Sequence, residues 1–311
     1  MNNFYFILSF SRSGSTLLAK LLNNNKDLKV LNEIWIFPTI SILKWERLNY
    51  NKQRYVLHIY NESLKIYKNC KPVSHKICEK SSISFVSFYK KILKHNISIA
   101  LEKNPVNTLH FPYLKKNIEN SKFIFLTRNP IAIANSYKNR WLKNEDYNYF
   151  LFRVTTVIKT YFLSYQKYYN DPELITIRYE DLVKDPVDSL NRLCNHLGVN
   201  YDKKMLDNID DFLFKSSYLK SHKDLSKEVH VKNINKYRSQ LSKEQIQDLS
   251  YLLRDVFNFF NYPISLTNPS KSLLKIERKV NNRLRYNQSF VKRYLRRTKY
   301  YLLYLKYTII R

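Results

Sequence analysis

FYFILSFSRSGSTLL, residues 4–18, joins an apolar run to a short polar loop and then to a second apolar run. The first run lacks strict alternation of apolar and polar residues, which predicts a strand covered on both faces of its sheet. The second run predicts a helix that begins near Ser15. Gly14, one of only two glycines in the chain, lies between the two runs, whereas the other, Gly198, suits the left-handed position that ends a helix. A strand, a glycine loop and a helix start in this order predict an anion-binding site.

The loop carries the donors that such a site needs. Backbone N–H groups at the start of a helix have no partners inside the helix, and the helix dipole adds partial positive charge there. Arg12 adds a guanidinium that can bind an anion through two hydrogen bonds, and Ser13, Ser15 and Thr16 add hydroxyls. A Walker A loop would need a second glycine and a lysine before the hydroxyl. This loop has neither, so it is not a Walker A loop. The alternative interpretation is an ordinary strand-to-helix turn.

Further apolar runs alternate with helical patterns along the chain. The predicted strands after the first are 28–31, 97–102, 122–127 and 174–179, and the predicted helices include 40–69, 84–93, 130–142 and 147–169. This rhythm predicts an α/β fold with a central, mainly parallel β-sheet flanked by helices. We expect one domain over residues 1–262, a proline-containing linker over 263–270, and a basic, tyrosine-rich helical tail over 271–311.

The formal net charge of +29 favours anionic partners. Residues 271–311 hold thirteen Lys or Arg against one Glu, so this tail could contact an anionic membrane face. The three cysteines include no CxxC pair, which argues against a disulfide scaffold or a zinc site. The sequence has no apolar run long enough to span a membrane and no signal-peptide pattern, so we expect a cytoplasmic protein.

Two motifs together resemble the sulfotransferases that use 3′-phosphoadenosine 5′-phosphosulfate (PAPS). RSGSTLL, residues 12–18, is similar to their 5′-phosphosulfate loop, in the form found in the carbohydrate and tyrosylprotein branch. FIFLTRNPIAIANSYKNR, residues 123–140, resembles their 3′-phosphate motif, in which a strand ends in Arg and a Ser follows eight residues later. These residues are Arg128 and Ser136 in this chain. The resemblance implies a P-loop-like fold.

Other segments extend the resemblance to residues 4–260. LNEIW places Glu33 where that branch has its proposed general base, and LEKNP places Lys103 near the transferred group. The implied catalytic residues are therefore Glu33, Arg12 and Lys103. The 5′-loop residues Arg12, Ser13, Gly14, Ser15 and Thr16 would bind the cofactor together with Arg128, Ser136, Ser226 and Lys236. His75 and His110 are the alternatives to Glu33 as the base. IRYEDLVKDP, residues 177–186, supports kinship more than chemistry, since its Glu180 and Asp181 suit helix caps or ion pairs rather than catalysis.

The resemblance implies an enzyme that moves a sulfuryl group from PAPS to a hydroxyl, leaves 3′,5′-bisphosphoadenosine (PAP), and needs no metal. A carbohydrate in a surface polysaccharide or a lipid-linked glycan is the expected acceptor. One alternative is a small-molecule kinase, which the missing Walker lysine disfavours. Another is a non-enzymatic basic protein that binds nucleic acid or a membrane surface, which leaves the spaced motifs without a purpose. We therefore expect no nucleic-acid partner, and a location in the cytoplasm, free or peripheral at the inner membrane face through residues 271–311.

Overall fold

The computed structural model describes residues 3–33, 99–207 and 234–288, and within them the chain forms a five-stranded sheet. All paired strands are parallel, and their order is β2-β3-β1-β4-β5. The strands are β1 (Asn3–Ser9), β2 (Leu28–Asn32), β3 (Ile99–Lys103), β4 (Phe123–Thr127) and β5 (Leu174–Arg178). The α/β fold with a parallel sheet is therefore confirmed. The predicted helices 40–69 and 84–93 lie outside the described residues.

The central strand β1 is buried on both faces, which explains its continuous apolar sequence. Phe4, Phe6 and Leu8 belong to the core on one face of the sheet, and Tyr5 and Ile7 to the core on the other. Side chains alternate between the faces of a strand, so a strand covered twice must be apolar at every position.

Helices cover both faces of this sheet. Helices α1, α5 and α6 pack on the face that includes Ile7, and the remaining helices supply the core on the face that includes Phe6. The helices are α1 (Ser15–Asn23), α2 (Phe111–Asn117), α3 (Pro130–Trp141), α4 (Tyr147–Gln166), α5 (Tyr179–Lys184), α6 (Pro186–Leu197), α7 (Lys243–Leu252), α8 (Arg254–Phe259) and α9 (Lys271–Gln288). Gly198 ends α6 in the left-handed conformation, as the sequence predicted.

Helix α9 begins the basic region that the sequence assigned to a tail. Its apolar face is buried in the core shared with the sheet and α4, through Leu273, Ile276, Val280 and Leu284. Its single acidic residue, Glu277, accepts a hydrogen bond from Arg254 of α8 at 2.7 Å. The domain boundary at 263–270 stays a prediction, but α9 is packed against the domain. Residues after 288 lie outside the described part, and none of the helices described has the length and apolarity needed to cross a bilayer.

Candidate active site

The carboxyl edge of the sheet collects the residues that the sequence singled out. Parallel neighbouring strands end on the same side, so whatever follows them is brought together. The loop that bears Arg12 follows β1, Arg128 follows β4, and Glu33 follows β2. Lys103 is the last residue of β3 and pairs in register with Asn32 of β2.

The loop after β1 is tight and reaches α1 through two residues with positive φ. Arg12 has φ 72° and Gly14 has φ 94°. The hydroxyl of Ser13 turns back to donate to the carbonyl of Phe10 at 2.7 Å, so this side chain braces the loop. Helix α1 starts at Ser15, with Gly14 as its N-cap and no capping side chain. The first turn of α1 is therefore the place where the anion cradle predicted from the sequence would lie.

Gly14 is needed for space as well as for backbone conformation. A β-carbon at this position would lie 2.5 Å from Cδ2 of Tyr179, the first residue of α5. The same Tyr179 ring has the Arg128 guanidinium 4.3 Å from its centroid. Burial raises the pKa of Tyr179, with Arg128 acting in the opposite direction, so the ring keeps its hydroxyl protonated at neutral pH. Tyr179 therefore contacts both the loop after β1, at Gly14, and the residue that follows β4, Arg128.

Glu33 and Lys103 form an ion pair at the same edge. The Nζ of Lys103 lies 2.7 Å from Oε1 of Glu33 and donates to Thr16 Oγ1 at 3.3 Å. Lys103 is 1% exposed and Glu33 is 42% exposed, so the cation is held inside while the carboxylate reaches solvent. The backbone also contributes, since the Glu33 N–H donates to the Lys103 carbonyl at 2.8 Å. Glu33, Lys103 and Thr16 thus meet in space although they are distant in sequence.

A second group of contacts joins the loop to α3. The Nε of Arg12 donates to Ser136 Oγ at 3.1 Å, and an Arg128 Nη1 donates to the Arg12 carbonyl at 3.4 Å. Asn129 caps α3 by accepting a hydrogen bond from the N–H of Ile131 at 2.9 Å. The two predicted motifs, separated by more than a hundred residues, therefore form one continuous polar site.

Two aromatic residues of α3 support this site and were not predicted from the sequence. The Arg12 guanidinium lies 5.6 Å from the Trp141 ring, and that ring packs against Tyr137 at 4.8 Å. Burial raises the pKa of Tyr137 to about 12, against the opposing effects of a hydrogen bond with Ser11 and the charges of Arg12 and Arg153. Their spacing of one helical turn, directly after Ser136, is the only sequence signal that could have revealed them.

Other predicted residues stand apart from these contacts. Lys236 lies exposed in a 3₁₀ turn, Lys236–Ser239. Gln240 attaches this turn to α3, since its side-chain oxygen accepts hydrogen bonds from Asn135 at 2.7 Å and Asn139 at 2.9 Å. His110 ends the 3₁₀ helix Pro105–His110. Ser226 and His75 lie outside the described residues, and the described ones hold no group of His, Cys, Asp or Glu suited to a metal ion.

Comparison with known proteins connects this geometry to one group. Residues 5–203 match the model of the "Sulfotransferase family". The chain is 23% identical over 212 residues to a Caenorhabditis briggsae protein named "Putative protein-tyrosine sulfotransferase", covering 65% of this chain and 67% of that protein.

Two solved structures share the fold. The sulfotransferase domain of the Synechococcus PCC 7002 olefin synthase has a TM-score of 0.60 at 21% identity, over 85% of this chain and 96% of that one. The sulfotransferase domain from the curacin biosynthetic pathway has a TM-score of 0.59 at 20% identity, over 85% and 99%. At these identities the likeness concerns the fold.

We expect Gly14→Ala to destabilise the protein far more than Gly198→Ala. Both glycines have positive φ, which costs an alanine about 1 kcal/mol. A β-carbon at 198 meets nothing within 4 Å, whereas one at 14 overlaps Tyr179, so the total loss at 14 should reach roughly 3 kcal/mol. Urea unfolding of both variants measures the difference. Equal losses would show that the Tyr179 ring gives way without cost.

Proposed function

The chain belongs to the sulfotransferase family, and on that premise we propose that it transfers a sulfuryl group from PAPS to a hydroxyl acceptor and releases PAP. The observation that carries the proposal is the pair of anion-binding places joined at one sheet edge. One is the cradle at Gly14 and Thr16, and the other is Arg128 with Ser136. Two such places at one sheet edge suit a nucleotide that carries anionic groups at both its 5′ and 3′ positions.

The cradle suits the 5′ end of such a nucleotide because of the donors that it offers. No side chain caps the first turn of α1, so an anion can accept hydrogen bonds from the N–H groups there. Thr16 and the buried Lys103 lie 3.3 Å apart beside this turn and supply a hydroxyl and an ammonium. Arg128 and Ser136 would hold the 3′-phosphate. When bound, PAPS supplies the activated sulfuryl group.

The residues at this edge can carry out the transfer without a metal. We assign Glu33 as the base, because its half-exposed carboxylate lies beside Lys103 at the sheet edge, where it can take the proton of an acceptor hydroxyl. The acceptor oxygen forms the new S–O bond while the bond to the bridging phosphate oxygen breaks. Lys103 and Arg12 stabilise the negative charge that remains on PAP. Fixed cations suffice because a sulfuryl group carries less negative charge than a phosphoryl group.

We propose a carbohydrate hydroxyl as the acceptor. The proposal rests on the similarity of the RSGSTLL loop to the carbohydrate and tyrosylprotein branch. The name of the Caenorhabditis briggsae relative refers to protein tyrosine, so a peptide tyrosine is the competing acceptor. Both acceptors offer a hydroxyl that Glu33 could deprotonate. The choice between them depends on which acceptor the protein binds next to the ion pair of Glu33 and Lys103.

The basic helix α9 leads to a proposal about membranes. Helix α9 packs its apolar face on the domain and exposes a series of cations along the opposite side. These exposed residues are Lys271, Lys275, Arg278, Lys279 and Arg285. We propose that they hold the enzyme at an anionic membrane face in the cytoplasm, where a lipid-linked glycan would be within reach.

Arg128→Ala should abolish tight binding of PAP. A charged hydrogen bond to phosphate is worth about 1.5–3 kcal/mol, so affinity should fall roughly ten- to a hundredfold. Titration calorimetry without metal gives the comparison, with Arg192→Ala, an exposed residue of α6, as the matched control. A preference of the wild type for ATP with Mg²⁺ would indicate a kinase instead and contradict the proposal.

Incubation with ³⁵S-labelled PAPS should transfer label to a polysaccharide or lipid-linked glycan acceptor rather than to a tyrosine peptide. Glu33→Gln should lower kcat by about a hundredfold or more, because it removes the base, and should leave PAP affinity nearly unchanged. Glu119→Gln is the control, since Glu119 is exposed and precedes β4 at the opposite edge of the sheet. Labelling of the peptide alone would overturn the carbohydrate proposal.

Reversal of two charges on α9 tests the membrane proposal without removing its packed face. Lys275→Glu with Lys279→Glu should weaken binding to phosphatidylserine vesicles by roughly tenfold or more, since each basic residue near the surface contributes about 1 kcal/mol. Cosedimentation at low salt measures this, and Lys203→Glu with Lys204→Glu is the matched control. Equal binding by both double variants would refute a specific role for α9.

A further inference from the structure

A buried carboxylate lies directly behind the proposed 3′-phosphate site. Glu180, in the first turn of α5, is 6% exposed. Its Oε1 accepts a hydrogen bond from the Asn129 backbone N–H at 2.9 Å, and its Oε2 accepts one from the Tyr262 hydroxyl at 2.8 Å. Burying a carboxylate is costly unless donors satisfy it, and these two donors come from distant parts of the chain.

Tyr262 is fixed as a donor by its surroundings. Burial raises the pKa of its hydroxyl, and the neighbouring charge of Glu180 raises it further, with Arg178 opposing. The hydroxyl therefore remains protonated at physiological pH and can donate to Glu180. The Arg178 guanidinium lies 4.2 Å from the centroid of the Tyr262 ring, a cation–π contact that helps to hold this ring in place.

The hydrogen bond to Asn129 acts on the peptide that directly follows Arg128. It fixes the plane of this peptide and hence the direction in which Arg128 leaves β4. Asn129 is also the N-cap of α3, the helix that carries Ser136. Tyr179, the residue before Glu180, contacts the guanidinium of Arg128. Two consecutive residues of α5 thus hold the side chain and the main chain of one arginine.

We propose that Glu180 and Tyr262 are positioning residues for Arg128. Through the Asn129 peptide they set how tightly this arginine binds the 3′-phosphate of the cofactor. This inference rests on the proposed function. A negative charge near a phosphate site opposes anion binding in Coulombic terms. The gain comes from rigid donors, because an arginine already held in place loses less conformational entropy when the phosphate binds.

The mildest test is Tyr262→Phe, which removes one hydroxyl and keeps the ring beneath Arg178. PAP affinity should fall about five- to tenfold, while the affinity for 5′-AMP, which lacks the 3′-phosphate, should not change. Tyr251→Phe is the matched control, because it too removes a hydroxyl that donates to a glutamate, Glu277 at 3.2 Å, away from the site. A general loss of folding would weaken both ligands equally, and that result would overturn the proposal.

The coupling to Arg128 gives the second test. In an Arg128→Ala background, Tyr262→Phe should have no further effect on PAP affinity, because it acts through that arginine. Additive losses would refute the mechanism. Glu180→Gln keeps an acceptor for the Asn129 N–H and should retain more PAP affinity than Glu180→Ala. Failure of the wild type to bind PAP would instead overturn the proposed function, which separates that outcome from a failure of the positioning role.

Discussion

The geometry of this site depends on the contacts that the Tyr179 ring makes with Gly14 and with Arg128. The ring occupies the space that a β-carbon at position 14 would need, and it packs against the guanidinium of Arg128. The loop after β1 and the end of β4 are thereby held by one rigid side chain. Because an aromatic ring has few internal degrees of freedom, this contact favours one arrangement of the loop and Arg128, on which both proposed anion-binding places depend. The close approach of the Tyr179 ring explains why one of the two glycines of the chain stands at position 14.

The ion pair of Lys103 and Glu33 shows how a buried cation is kept at the site. An ammonium that is 1% exposed would be strongly unfavourable alone. The partner carboxylate and the Thr16 hydroxyl satisfy two of its three donors. Since Glu33 is the exposed member, it can meet an acceptor without exposing the lysine. The pair therefore supports two separate proposed roles. The exposed Glu33 would remove the proton of the acceptor, and the buried Lys103 would stabilise negative charge.

Local signals predicted much of this structure, and distant contacts could not be predicted in the same way. The strands were found because double burial forces an apolar run, and the motif with Arg128 and Ser136 was found by its resemblance to a sulfotransferase motif of fixed spacing. The hydrogen bond from Arg12 to Ser136 spans 124 residues, and that from Tyr262 to Glu180 spans 82. Such contacts depend on the strand order, which no local pattern encodes. Glu180 could accordingly be assigned only a cap or an ion pair from its sequence context.

Among the described residues, the cations that contribute to the net charge of +29 include two distinct groups, and only one of these groups concerns the proposed chemistry. At the sheet edge, the cations are placed by specific partners, as Lys103 is by Glu33. On α9, by contrast, cations such as Lys275 face solvent along a helix whose other side is packed. Screening by salt weakens exposed charges and spares buried ones. Ionic strength should therefore separate the two roles, since it would weaken surface attachment well before it weakens the cofactor site.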